Sequence, residues 1–222
     1  MRKRFEQELQ QLNEDLIEMG TLNEKSLELI IQLFDSKTPE EMEGIKEEVR
    51  EYEVRVDDLE RQIQTQAMRL LISQQPVARD LRSISTALNI ITDMERISDQ
   101  AYDIAEIAMF FKGKAPMGKP DQVIAMIKCC MDMASSSVDA FVKQDLATAH
   151  RVIAADDEVD RLFLSIRDLL IDRINEDKSC GEQAIDLMII AKYLERIADH
   201  AVNVAEWVIF NITGLYKDKQ LM

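Results

Sequence analysis

Carboxylates recur along this sequence at four-residue steps, and each step occurs twice. Glu53 and Asp57 form one such pair, and Glu95 and Asp99 form another. Asp156 with Asp160, and Glu195 with Asp199, repeat the pattern in the second half of the chain. On a helix, residues four apart share a face, so each pair sets two carboxylates side by side. Like charges placed this way destabilise a helix by roughly a few tenths of a kcal/mol per pair. A cation is therefore expected to offset them. Two pairs on adjacent helices would supply an all-oxygen site for hard metal ions. Arg, Lys or water can satisfy the same groups, and a solvated acidic face is the plainer alternative.

At 100° per residue, Glu95, Asp99, Asp103 and Glu106 fall within an arc of about 80°. Ile97, Ala101, Ile104 and Ala108 occupy about 60° on the opposite side, which is the core-facing stripe. Glu195, Asp199, Asn203 and Glu206 repeat the polar arc against Ile197, Ala201, Val204 and Val208. The carboxylates are thus expected to point away from the core. They would meet the pairs on the preceding helix where the two helices pack.

Other chemistry is hard to build here. Arg96 and Arg196 read as salt-bridge partners, and His200 is a candidate ligand only through its neighbour Asp199. Neither His150 nor His200 has a Glu three residues before it, so the Glu-x-x-His pairs of a di-iron carboxylate enzyme are missing. No nucleophile elbow, Gly-rich phosphate loop or HExxH run occurs. Cys129, Cys130 and Cys180 show no zinc spacing and read as reduced, packed thiols. Trp207 and the methionines read as packing. Catalysis finds no support.

These side chains must be carried by long helices. Apolar residues from Leu9 to Leu33 recur at three- and four-residue steps, ending at Asp35-Ser36-Lys37. Thr38-Pro39-Glu40-Glu41 then opens a second helix: Thr38 caps it, Pro39 takes the first position and Glu41 completes a capping box. This helix runs through Val49, Val56, Leu59, Ile63 and Leu70 to a break near Ser73–Pro76. At about 34 residues it would span roughly 50 Å. A third helix is expected over Val77–Phe111. Lys112–Pro120 is the one stretch dense in Gly and Pro, and it separates residues 1–113 from residues 119–214. Asp121 and Asp145 are placed to cap a fourth and a fifth helix. Ser179 and Glu182 suggest a capping box for a sixth, which Gly214 would end. No strand-like alternation competes.

The two halves are copies. Residues 95–106 match residues 195–206 at seven of twelve positions, including both Glu-Arg-Ile triplets, the following Asp and the closing Glu. Upstream, Glu53, Val56, Asp57 and Leu59 match Asp156, Val159, Asp160 and Leu162, three residues out of step with the later block. The turn between the blocks absorbs the difference. The expected fold is all-α, with two tandem antiparallel three-helix bundles related by an internal repeat.

Bulk properties agree. The chain has 222 residues, 46% hydrophobic and 31% charged, with a net charge of −15. That is too apolar for disorder and too acidic for nucleic acid or an anionic membrane surface. The N-terminal residues run directly into a charged pattern, so no signal peptide is expected, and no apolar stretch is long enough to span a bilayer.

At these residues the sequence resembles the PhoU family. Gln75-Pro76-Val77-Ala78-Arg79-Asp80-Leu81-Arg82 is similar to that family's Q-P-x-A-x-D-L-R turn, and both E-R-I-x-D blocks resemble its E-R-I-G-D motif. Ser98 and Ala198 stand where the family usually has Gly, Asn203 replaces an acidic residue, and the second half lacks the Q-P turn. The resemblance implies a non-enzymatic, cytoplasmic negative regulator of phosphate signalling and uptake. Its implied partners are the ATPase subunit of a phosphate ABC transporter and a sensor histidine kinase, and it is expected to form a homodimer. The resemblance also implies surface metal clusters of iron, manganese, zinc or magnesium. Their ligands would be Glu53, Asp57, Glu95 and Asp99 in one half and Asp156, Asp160, Glu195 and Asp199 in the other. Asp103 would be an extra ligand, and Asn203 a weaker one. Metal storage or metal-dependent hydrolysis is the alternative.

Overall fold

Helix starts and stops follow local chemistry. The Thr38 hydroxyl accepts from the Glu41 amide at 3.2 Å while the Glu41 carboxylate accepts from the Thr38 amide at 3.3 Å, a closed capping box. Asp145 caps the fifth helix by accepting from the amides of Ala147 and Thr148. Those donors hold its carboxyl below the usual range, the Thr148 hydroxyl contributing most. The computed structural model describes residues 2–36, 38–74, 78–111, 121–216 and 219–220. In it the six helices are α1 (Arg2–Asp35), α2 (Pro39–Gln74), α3 (Ala78–Ala108), α4 (Asp121–Lys143), α5 (Leu146–Glu176) and α6 (Gly181–Thr213). Gln75–Val77 of the expected turn into α3 and the Lys112–Pro120 linker lie outside the described residues.

Three local expectations are corrected. The third helix tightens to a 3-10 turn over Met109–Phe111. Asp121 is the first residue of α4, one place inside the cap position expected of it. Ser179 and Glu182 form no capping box: Asp177 accepts from the Ser179 amide at 2.9 Å and from its hydroxyl at 2.9 Å, and a 3-10 turn precedes α6. Asp is the better cap here because its carboxylate serves both donors of Ser179.

α1, α2 and α3 pack as one bundle, and α4, α5 and α6 as a second. The bundles join through α1 against α4 and α3 against α6, leaving α2 and α5 outside. Small residues make the central seam close. Ala101, Ala105 and Ala108 on α3, and Ala198, Ala201 and Ala205 on α6, are essentially fully buried. Ser98 and Ala198 sit at equally buried positions, which is why each copy keeps a small side chain there. At Gly20 of α1, an added Cβ would lie 3.1 Å from the Val138 side chain of α4. The copies also share an anchor: the Asn23 amide donates to the Met94 carbonyl at 2.9 Å, and the Cys130 thiol donates to the Leu194 carbonyl at 3.2 Å.

α6 ends at Gly214, whose φ of 81° is left-handed and whose N–H reaches the Phe210 carbonyl at 2.8 Å. The turn folds the chain back along α6, so Tyr216 stacks on Trp207 with ring centroids 4.2 Å apart. A two-residue hairpin pairing Leu215–Tyr216 (β1) with Lys219–Gln220 (β2) forms there, where no strand was expected. Gly214→Ala should cost about 1 kcal/mol, because a Cβ at positive φ is strained, and lower the thermal midpoint by about 2–4 °C. An unchanged midpoint would show that this turn is not held in the left-handed conformation.

Candidate functional site

The acidic stripe of α3 divides between two neighbours. Its first part faces α2. One carboxylate oxygen each from Glu53, Asp57 and Asp99 lies within 4.8 Å of the others, and all three residues are half-buried. Among the described residues, no other three acidic, His or Cys groups gather this tightly. Glu95 joins from α3, its side chain only 17% exposed. Burial raises its pKa to about 7, with Asp99, Glu60 and Asp57 pushing the same way. Glu53 and Asp99 are raised too, in each case chiefly by burial. These groups stay off the apolar core and meet where α2 and α3 pack, in the seam between the two helices. The seam concentrates negative charge at restricted access to water, which is unfavourable without a cation.

Two cations are already there. Arg96 lies 3.3 Å from Glu95 and 3.2 Å from Asp99, and Arg61 lies 3.8 Å from Asp57. Arg96 is half-exposed and Arg61 largely exposed, and the Glu95 and Asp99 carboxyls stay raised beside them, by burial first and by the neighbouring carboxylates next. Glu60 was missed by the sequence reading. It stands seven residues after Glu53, two helical turns along the same face of α2, and its own pKa is raised by burial and by Asp57.

In the second copy, Asp156 and Asp160 on α5 approach Glu195 and Asp199 on α6 closely enough that Asp156 is raised by burial and by all three. The set is looser and differently neutralised. The Lys192 ammonium pairs directly with Glu195. The position matching Glu60 is Phe163, whose ring lies 5.7 Å from the same ammonium. One copy gathers five carboxylates; the other has four and a lysine.

The remainder of each stripe serves the joint between copies. Asp103 faces the Tyr193 hydroxyl of α6, whose pKa is raised by burial first and by this carboxylate next. The Asn203 amide donates to Asp93 of α3 at 3.2 Å. Asp93 and Tyr193 are one repeat position, Asp103 and Asn203 another, so these contacts are two-fold mates. His200 Nδ1 also meets Asp93, at 2.8 Å, and not its sequence neighbour Asp199. Asp103 and Asn203 thus stand at the joint between the copies. Arg196 differs from Arg96: its guanidinium lies 5.7 Å from the Tyr193 ring, and among the described residues no carboxylate pairs with it. Asp93 could have been found from its place exactly one repeat before Tyr193, but its partners depend on helix rotation.

Kinship agrees with the geometry. The family model described as "PhoU domain" matches residues 16–108 and again 123–208. The "Phosphate-specific transport system accessory protein PhoU homolog" of Clostridium acetobutylicum is 34% identical over 98% of this chain and 98% of its own. A Thermotoga maritima relative, "PhoU homolog 1" in the same naming, is 31% identical over 95% of this chain and 89% of its own. The crystal structure of PhoU from Pseudomonas aeruginosa superposes with a TM-score of 0.86 at 31% identity, covering 95% of this chain and 99% of that one. A PhoU structure from Streptococcus pneumoniae, at 22% identity, shares the fold with a TM-score of 0.85. Two matched repeats, end-to-end similarity and paired acidic seams lead to one conclusion: this chain belongs to the PhoU family.

Proposed function

We propose that this chain is a cytoplasmic negative regulator of phosphate signalling and phosphate uptake. It works as an adaptor, docking on the ATPase subunit of a phosphate ABC transporter and on a sensor histidine kinase, and it holds the kinase off when phosphate is plentiful. The observation that carries this reading is end-to-end similarity to relatives named as accessory proteins of phosphate-specific transport. The physical character of the chain supports it. No described helix is long and apolar enough to cross a membrane. A net charge of −15 suits protein partners and cations over nucleic acid. The role is regulatory and not catalytic, and the working unit is a homodimer.

Within this role the acidic seams bind metal cations: iron, manganese, zinc or magnesium. The first seam fits: Glu53, Asp57 and Asp99 converge, with Glu95 and Glu60 beside them, in an all-oxygen set that half-exposed arginines only partly neutralise. Bound cations would supply charge neutralisation and cross-linking of α2 to α3. The second seam, with Lys192 on Glu195, is the weaker site.

Deleting the gene should raise transcription of phosphate-responsive genes during growth in ample phosphate, and restoring it should return them to baseline. A reporter fusion together with radiolabelled phosphate uptake checks this. If neither changes, the regulatory reading is wrong.

A further inference from the structure

Apolar side chains stand exposed along the outer faces of α5 and α6. On α5 and α6, Leu164, Ile171, Ile185 and Ile189 are 47%, 51%, 60% and 41% exposed. Between these helices runs a groove of about 370 Å³ lined by Phe163, Met188, Ile189, Lys192, Tyr193 and Arg196. The fold does not demand this apolar surface. At the matching positions of the first copy, Phe163 is replaced by Glu60, Ile185 by Ser85, Ile189 by Asn89 and Lys192 by Thr92. At these four positions the same architecture is built with polar groups, so the fold itself does not require an apolar groove here.

The groove also carries the wrong charge for this molecule. On a chain of net charge −15, it holds two cations at one end. Each lies near an aromatic ring, Lys192 over Phe163 and Arg196 over Tyr193, both at 5.7 Å. Lys192 has Glu195 as a partner, whereas Arg196 has no carboxylate among the described residues. Its repeat mate Arg96 has two.

We propose that the α5–α6 groove docks an amphipathic helix of a partner protein, with apolar residues seated on Phe163, Met188 and Ile189 and a carboxylate meeting Arg196 and Lys192. Two antiparallel helices present a trough that a third helix fills by ridges-into-grooves packing. Charge complementarity selects an acidic occupant: a basic helix would meet two like charges, whereas a carboxylate completes the unpaired guanidinium. A second copy is disfavoured as occupant of this groove because a two-fold contact through it would set Lys192 and Arg196 against their own mates. The inference deepens the adaptor reading by placing one docking face. It rests on that reading only for which protein owns the helix.

Two labelled helical peptides of roughly 18 residues, long enough to hold a helix, test it directly. Both carry one leucine stripe, flanked by Glu in the first and by Lys in the second. Fluorescence anisotropy with the full chain should show saturable binding of the Glu peptide, and binding of the Lys peptide weaker by about tenfold. Ile189→Asp should abolish binding. The double variant Lys192→Glu, Arg196→Glu should invert the preference, with circular dichroism confirming that each variant is folded. Equal binding of both peptides, binding of neither, or unchanged binding by Ile189→Asp would overturn the proposal. So would a dimer in sedimentation that Ile189→Asp splits, since a second copy would then be the occupant. The deletion phenotype is read separately. A deletion that derepresses while the peptides fail sinks this face alone, and a silent deletion with successful peptides sinks the adaptor role alone.

Discussion

Adding Mn(II) to chelator-treated protein should raise its thermal midpoint by about 5–10 °C, and Asp99→Ala should remove that response. At a free metal concentration of a hundred times Kd, a site that exists only in the folded state adds about 2.7 kcal/mol. For a chain of this size, each kcal/mol moves the midpoint by about 2–4 °C. Asp99 is the right residue to remove because it is the α3 contribution to the converging triad with Glu53 and Asp57 of α2. Without it the triad keeps only its two α2 carboxylates, and α3 is left with Glu95, which lies outside the converging set. The same variant should leave the metal-free protein as stable as before or slightly more so. Asp99 is held above its ordinary pKa chiefly by burial, with Asp57 and Asp103 adding repulsion and Arg96 opposing it. Arg96 keeps Glu95 as a partner. A merely structural Asp99 would give the opposite pattern, with the metal-free variant losing stability. If scanning calorimetry shows no metal-dependent rise in the wild type, or an equal rise in the variant, the seam is only an acidic surface.

Metal binding and copy asymmetry are connected. The second copy offers Asp156, Asp160, Glu195 and Asp199, but Lys192 already lies on Glu195 and Phe163 occupies the place of Glu60. An ammonium in the seam does part of the work a metal would do, at fixed stoichiometry and without dependence on supply. Phe163 and Lys192, which weaken the seam, also line the groove assigned to a partner helix. Under the two proposals, the first copy of the duplicated unit serves cations and the second serves protein contact. This division follows from two substitutions at matched positions.

The sequence exposed those elements whose signals are local. The Thr38–Glu41 box, the Asp145 cap and the Gly214 stop depend on residues within one turn of each other, and all three form. The duplication was legible because identity at fixed offset needs no geometry. Destinations across helices were not. The 100° rule places Asp99 and Asp103 on one arc, but an arc of about 80° is wide enough to touch two neighbours. The rotation of α3 between α2 and α6 sends Asp99 to one and Asp103 to the other. His200 shows the same limit: adjacency suggested Asp199, whereas packing supplied Asp93 from 107 residues away. At Ser179, two competing caps lay within three residues, and the Asp preceding it prevailed.

The metal-free protein should lose stability as the pH rises from about 5 to 8, and Glu95→Gln should flatten that loss. The direction follows from proton counting. Glu95 titrates near 7 in the folded chain, against an ordinary value of 4.5. Between these values the folded state holds a proton that the unfolded state has released, so raising the pH favours unfolding. The penalty is absent below about 4.5, grows through the interval and is complete above about 7. Burial is its largest cause, followed by Asp99, with Glu60 and Asp57 adding to it and Arg96 opposing it. Full conversion would overstate the cost because the seam keeps a path to water, and about 2 kcal/mol remains. Glutamine preserves size and hydrogen bonding but carries no charge, so at pH 8 the variant should be more stable than the wild type by about that amount. At pH 5 the two should converge. Urea unfolding at both pH values, with chelator present, measures the difference. A wild type no less stable at pH 8 than at pH 5, or a variant that tracks it throughout, would mean that Glu95 ionises without strain. Mn(II) should reverse the trend, since it binds the deprotonated seam and converts its repulsion into ligation as the pH rises.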